Sequence, residues 1–276
     1  MSLSVMNSNK ITMKAYNVNI MKQWQSFLVV AVLVIFASFY AGGVSPASFV
    51  WKVFGNANVA LWLNRDDAPL AMEIGKYYFN DGAYDLGKAK KAFEKAKQID
   101  PELLGSRYQL SRIDFIQSRF QSALVLVNEE LALHPEFDRS YYLRGLIYGY
   151  SGKLSLAAED FQKFLETHEK SWAAHNDLAW IYFRQGEFEK VALTAKKGLE
   201  WNPDNVWLLT TYGTALLNLN KKDEAKRILT QALEKAEALT LEEWGKAYPG
   251  NNPEEYERGL RVMRNTIRSN LELVNK

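Results

Sequence analysis

Large and small residues recur in a fixed grouping through most of this chain. A large residue followed by a small one stands at Ile74-Gly75, Leu110-Ser111, Arg144-Gly145, Leu178-Ala179 and Tyr212-Gly213. A small residue where two helices cross lets their axes approach, and its large neighbour fills the adjoining gap. Three residues further on come Tyr78, Asp114, Tyr148, Tyr182 and Leu216, so one helical face carries a further bulky side chain in four of five cases. Asp114 interrupts the pattern. A second set, Ala89, Ala123, Ala157, Val191 and Ala225, is followed four residues later by Phe93, Val127, Phe161, Ala195 and Leu229. Such i, i+4 pairs draw one stripe along a helix. Between the two sets stand Gly82, Ser118, Gly152, Gly186 and Asn220, residues that tolerate the left-handed backbone of a tight reversal. The pattern therefore predicts five helical hairpins.

The hairpins keep time. Lys97-Gln98-Ile99-Asp100-Pro101, Leu131-Ala132-Leu133-His134-Pro135 and Leu199-Glu200-Trp201-Asn202-Pro203 end alike, with prolines 34 and then 68 residues apart. A 34-residue period of paired helices marks stacked hairpins, an architecture that makes surfaces for other molecules. The residues resemble the tetratricopeptide repeat family, whose signature places W, L-G, Y, A, F, A and P at set offsets. The clearest copies read Tyr141-Tyr142-Leu143-Arg144-Gly145-Leu146-Ile147-Tyr148 and Leu178-Ala179-Trp180-Ile181-Tyr182. The resemblance covers repeats at about 68–103, 104–137, 138–171, 172–205 and 206–239. The first repeat carries about two extra residues around Ala83–Gly87, and Glu169 and Glu237 replace the closing proline in the third and fifth. The implied fold class is all-α: a right-handed α-solenoid of about five hairpins with a C-terminal capping helix.

After the repeats, residues 240–276 read as a loop and that capping helix. Asn252-Pro253-Glu254-Glu255 offers an N-cap, a first-turn proline and two acids, predicting a helix over Pro253–Val274. Tyr256, Leu260, Met263, Ile267 and Leu271 form its apolar stripe, and Arg258, Arg261, Arg264 and Arg268 are expected on its wetted outer face.

Ahead of the repeats, Phe27 to Val44 is free of charge and rich in Phe, Leu, Val, Ile and Ala. Its length, about 18 residues or roughly 27 Å of helix, just spans a bilayer. Trp24 on one side and Tyr40, Phe49, Trp51 and Phe54 on the other suit the two interfaces. The reading is a disordered tail over 1–23, a transmembrane signal anchor over 24–45 and an interfacial linker over 46–67. Small residues at Ala41-Gly42-Gly43 and Ser45-Pro46-Ala47 offer the alternative of a cleaved signal peptide and a secreted protein. Lys10, Lys14 and Lys22 precede the span, whereas Lys52 and Arg65 follow it with Asp66 and Asp67. That bias favours an inside N-terminus and a repeat domain outside the cytoplasm, periplasmic in a bacterium.

Composition narrows the chemistry. With 47% hydrophobic and 13% aromatic residues the chain can bury a repeat core, and a net charge of +2 provides no dedicated nucleic-acid surface. The chain has no cysteine, which excludes disulfides and thiolate metal sites. The three histidines, His134, His168 and His175, lack partners at metal-ligand spacing, and no phosphate loop or G-x-S-x-G element occurs. Acidic neighbours such as Glu129-Glu130, Glu242-Glu243 and Glu254-Glu255 point apart on a helix and read as solvated faces. No cofactor, metal or catalytic residue is expected.

The resemblance implies instead a concave groove lined by the first helix of each hairpin. By register it would show Lys76 and Phe79, then Tyr108, Arg112 and Phe115, then Arg139, Tyr142, Leu146 and Tyr150. It would continue with Asn176, Trp180, Phe183 and Arg184, and end at Trp207, Thr210, Thr214 and Asn218. Tyr, Trp and Arg concentrate binding energy, which suits a protein or peptide partner. The carboxylate clamp of some family members is not reproduced, since its positions read Met72, Lys76, Gln109, Arg139 and Leu143. The expected function is a membrane-anchored scaffold, not an enzyme, that assists assembly of an envelope complex. A rival reading is an enzyme accessory subunit with a site at Arg112, Arg139 and Asn176.

Overall fold

A computed structural model describes residues 45–79, 81–247 and 252–274 of the 276. The 24–45 anchor therefore lies outside the described residues, apart from Ser45. Among the described residues no helix is long and apolar enough to cross a membrane, and fourteen α-helices account for the architecture. The chain divides into two compact units between Ala71 and Met72.

The first unit includes α1 (Pro46–Phe54) and α2 (Ala57–Leu63). The expected linker at 46–67 thus contains two short helices. Ser45 caps α1 by accepting from Ser48 N at 3.1 Å, and Asn56 caps α2 by accepting from Val59 N at 3.1 Å. Val53, Phe54 and Trp62 are exposed at 57%, 61% and 69%.

The next helix, α3 (Ala68–Tyr78), crosses the division and pairs with α4 (Leu86–Ile99). Four further hairpins follow: α5 (Ser106–Ile116) with α6 (Phe120–Leu133), α7 (Arg139–Tyr150) with α8 (Leu154–Thr167), α9 (Trp172–Gln185) with α10 (Phe188–Trp201), and α11 (Val206–Asn218) with α12 (Lys222–Ala238).

The two sequence markers meet inside three of the hairpins. A Cβ on Gly75 would fall 2.3 Å from the Phe93 ring, one on Gly145 3.0 Å from Phe161, and one on Gly213 2.7 Å from Leu229. The small residue of the first helix is thus where the i+4 residue of the second helix lies. Phe93, Phe161 and Leu229 are fully buried, each contributing on the order of 2–3 kcal/mol by removing apolar surface from water. Ser111, also fully buried, instead bonds the second helix one turn earlier, donating to Ala123 O at 2.8 Å.

Four of the five reversals share one geometry. Ser118, Gly152, Gly186 and Asn220 take φ of 58°, 79°, 76° and 59°. The next residue closes back on the helix in each: Arg119 N to Asp114 O at 2.8 Å, Lys153 N to Tyr148 O at 2.9 Å, Glu187 N to Tyr182 O at 3.0 Å, and Lys221 N to Leu216 O at 2.9 Å. This is the Schellman closure of a helix C-terminus. Gly82 departs from the expectation: its backbone is not left-handed, and the two extra residues make a wider loop with an isolated bridge between Phe79 and Tyr84. It remains glycine for room, because a Cβ there would lie 2.1 Å from the Tyr77 ring.

Three polar positions correct the sequence reading. Asp114, 2% exposed, is held by Arg119, Ser122 and, at 3.5 Å, Lys90. Arg144 does not merely fill space, since Nε and Nη2 each reach an Asp160 carboxylate oxygen at 2.8 Å. Glu130 is fully buried, not solvated. Its carboxylate accepts from Gly105 N at 2.6 Å, Arg107 N at 3.1 Å and Tyr108 N at 3.2 Å, closing the N-terminus of α5 from the end of α6.

Beyond the hairpins, α13 (Leu241–Ala247) occupies part of the expected loop. Thr240 and Glu243 start it as a capping box, with Glu243 N donating to Thr240 Oγ1 at 3.2 Å and Thr240 N to Glu243 Oε2 at 2.9 Å. A 3₁₀ turn, Pro253–Glu255, then leads into α14 (Tyr256–Val274). This helix packs mainly on α12, burying Leu260, Ile267 and Val274. Arg264 is not on a wetted face: it donates to Ala236 O at 2.9 Å, Glu237 O at 3.1 Å and Leu239 O at 3.0 Å, occupying carbonyls left open where α12 ends.

Candidate functional site

Successive first helices α5, α7, α9 and α11 touch along one side of the second unit. On α7, Tyr142, Leu146 and Tyr150 follow at four-residue steps; on α9, Asp177, Trp180 and Arg184 form the facing row. The rows are joined. Tyr142 donates its hydroxyl to Asp177, and the Tyr150 and Trp180 rings lie 5.1 Å apart between centroids, inclined 39°. Arg184 lays its guanidinium over Trp180 at 5.2 Å and donates to Gly149 O at 2.6 Å. Gly149 makes this approach possible, because a Cβ there would sit 2.8 Å from Trp180.

The aromatic surface extends toward the earlier repeat. Phe115 packs edge-on against Tyr150 at 5.4 Å, and Phe120 from α6 lies 6.2 Å from the same ring. Tyr150 itself remains 57% exposed. Arg112 stacks on Phe79 at 4.3 Å and donates to Gln109 at 2.9 Å. Burial lowers the Arg112 pKa, and the like charge of Arg139 acts in the same direction. Tyr108 meets Phe137 edge-on at 5.2 Å, and Arg139 is exposed.

The later end is polar. Asn176 accepts from Thr211 at 2.9 Å, and Thr214 accepts from Asn270 of α14 at 2.9 Å. Trp207 packs on Trp172 at 5.1 Å. Phe183, 39% exposed, pairs with Phe188 of its own hairpin at 5.4 Å. Thus Tyr142, Tyr150, Trp180 and Arg184 form one continuous cluster with Phe115, while Arg112 and Tyr108 belong to a second cluster. Phe183 and Trp207 are each engaged in separate ring pairs.

Sequence reasoning missed Asp177. Burial pushes its carboxyl up to about 6, against the opposing hydrogen bonds from Tyr142 and Asn176. A signal existed: Tyr142–Asp177, Gly149–Arg184 and Asn176–Thr211 are all 35 residues apart, one more than the repeat. The histidines have local roles. His175 is 2% exposed, its Nε2 lies 2.8 Å from Glu169 O, and burial lowers its pKa. His168 stacks on Phe164 at 4.3 Å. Among the described residues no group of three or more His, Asp or Glu converges as a metal site.

Two tetratricopeptide repeat models match, over residues 142–195 and 194–227. The Hsp70-Hsp90 organizing protein of Triticum aestivum is 26% identical over 49% of this chain and 23% of its own length. The BBSome complex member BBS4 of Mus musculus is 24% identical over 48% of this chain and 25% of its own length. The chain thus spans about a quarter of the curated relatives it matches. Among solved structures, MamA protein superposes with a TM-score of 0.53 at 21% identity, covering 62% of this chain and 92% of MamA. YrrB, described as a repeat protein with an unusual peptide-binding site, superposes with a TM-score of 0.52 at 16% identity, covering 65% of this chain and 91% of YrrB. With the period, the hairpin geometry and the family match in agreement, this chain carries tetratricopeptide repeats.

Proposed function

We propose that this protein is a membrane-anchored scaffold that captures a peptide segment of a protein partner along α5, α7, α9 and α11. The observation that carries the reading is the run of rings from Phe115 through Tyr150 to Trp180, contributed by three successive repeats and leaving Tyr150 largely exposed. Large planar side chains on rigid helices bind with little loss of rotamer freedom. The peptide-binding site named for YrrB lends support from a similar fold. The anchor rests on the uncharged run from Phe27 to Val44. Exposed Phe54 and Trp62 on the short helices of the first unit suit the membrane interface that the reading places beside them. The same reading places the repeats outside the cytoplasm, in service of an envelope assembly and without enzymatic activity.

The test is affinity capture of the full-length chain from detergent-solubilised membranes, with mass measurement of its N-terminus. Wild type is expected to retain residues 27–44 and bring down a stoichiometric partner. Trp180→Ala and Tyr142→Ala should lose that partner with unchanged helix content. Retained capture in both variants refutes the groove, and a chain beginning at Val44 or Ser48 refutes the anchor.

A further inference from the structure

Three buried carboxylates of the repeat unit are compensated in recognisable ways, and the half-buried Asp177 is not. Asp160 receives two nitrogens of Arg144, Asp114 receives Arg119 and Lys90, and Glu130 receives three backbone N–H groups. Asp177 receives only the neutral hydroxyl of Tyr142 and the neutral amide of Asn176. No cation among the described residues forms an ion pair with it. A carboxylate partly withdrawn from water without a counter-charge is costly, and this one stands in the row of side chains read above as the groove. One turn along α9 is Trp180, against which Tyr150 of α7 packs at 5.1 Å. The local arrangement is therefore an acid beside two aromatic rings, the complement of a cation on an aliphatic stem.

We propose that Asp177 is the receptor for a lysine or arginine side chain of the bound peptide, whose stem crosses Tyr150 and Trp180 and whose charge completes an otherwise unpaired carboxylate. The proposal rests on the groove reading and adds the chemical class of the anchor residue. It also gives a reason for Tyr142: its hydroxyl fixes the Asp177 rotamer from the neighbouring repeat. Arg184 does not compete, since it is committed to Gly149 O and the face of Trp180. Arg112 and Arg139, which belong to earlier repeats, would disfavour a second basic residue at that end.

The experiment uses the full-length chain in detergent, panned against displayed random dodecapeptides at pH 7.5, with the best peptide then synthesised for fluorescence anisotropy. Expected is a consensus with one fixed Lys or Arg. Changing that residue to norleucine should weaken binding at least about tenfold, the scale of a charge-assisted hydrogen bond. Asp177→Asn should cost the same for the basic peptide and little for the norleucine peptide. That non-additivity separates direct contact from a folding defect, which would weaken both peptides equally. Peptides that lack a fixed basic residue but lose binding in Trp180→Ala would overturn the cation receptor and leave the groove standing. Additive losses from Asp177→Asn and norleucine would also overturn it. A wild-type chain that enriches no peptide overturns both readings.

Discussion

Two adjacent glutamates on α6 should behave in opposite ways when removed. Glu129 is exposed and meets only Arg107 Nε, at 3.3 Å. Glu130 is fully buried and serves three backbone donors at the start of α5, between 2.6 and 3.2 Å away. Glu129→Ala should therefore cost less than about 0.5 kcal/mol, as exposed ion pairs do. Glu130→Ala leaves three donors without their acceptor where each orphan costs on the order of 1–3 kcal/mol. Water entering the vacated space recovers part of this, so a net loss of about 3–5 kcal/mol is expected. Glu130→Gln keeps one oxygen but turns an amide toward the remaining donors, and should fall between the two. Urea unfolding followed by far-UV circular dichroism measures all three at once. For a domain of this size the midpoint temperature of Glu130→Ala should fall by roughly 10 °C. Equal stability of Glu129→Ala and Glu130→Ala would refute the capping role, as would a Glu130→Gln variant indistinguishable from wild type.

Further tests address the groove and the end of the array. Asp177 titrates at about 6 in the folded chain and near 4 when unfolded, so the folded state binds the extra proton between those values. The stability this contributes is fully present below pH 4 and lost as pH rises through 6, up to about 3 kcal/mol. Urea midpoints between pH 4 and 7.5 should show that decline steepened relative to Asp177→Asn, and parallel profiles would refute it. Gly149→Ala brings a Cβ within 2.8 Å of Trp180 and Ile181; a loss of about 1–3 kcal/mol should appear in thermal melts together with weakened peptide binding. Arg264→Ala should destabilise α12 selectively, with faster amide exchange over residues 230–239 than over α9.

The period was legible because it is written in volumes. Gly75 against Phe93, Gly145 against Phe161 and Gly213 against Leu229 require a small residue at one offset and a large one at another, while the fourth repeat sets Ala179 and Ala195 at the same two places. Reversals at Ser118 and Asn220 were legible for the same local reason. Contacts between repeats were less so. Asp177 looks like any polar residue on a helix until α7 is placed beside α9, and Glu130 looks solvated until the start of α5 is placed over it. Arg264 was misread because an outward cation and one closing a helix end have the same sequence signature. Helices α1, α2 and α13 were missed because runs of seven to nine residues are too short to show a period. On α7 and α9, the repeat register put Tyr142, Tyr150 and Trp180 on neighbouring first helices, but gave no sign of the acid that bonds Tyr142.

The guanidinium of Arg264 acts as an end-stop for the whole stack. In an array whose members touch only their neighbours, opening begins at the free ends and travels inward one hairpin at a time. The three carbonyls it covers are where such a zipper would start on this side. A chain shortened before α14 would not merely lose its tail. It would leave α11 and α12 as the outermost pair, with Thr214 parted from Asn270, and Trp207 and Trp172 next in line to come apart. The lifetime of the last hairpin is thus set by a helix that lies outside the repeats.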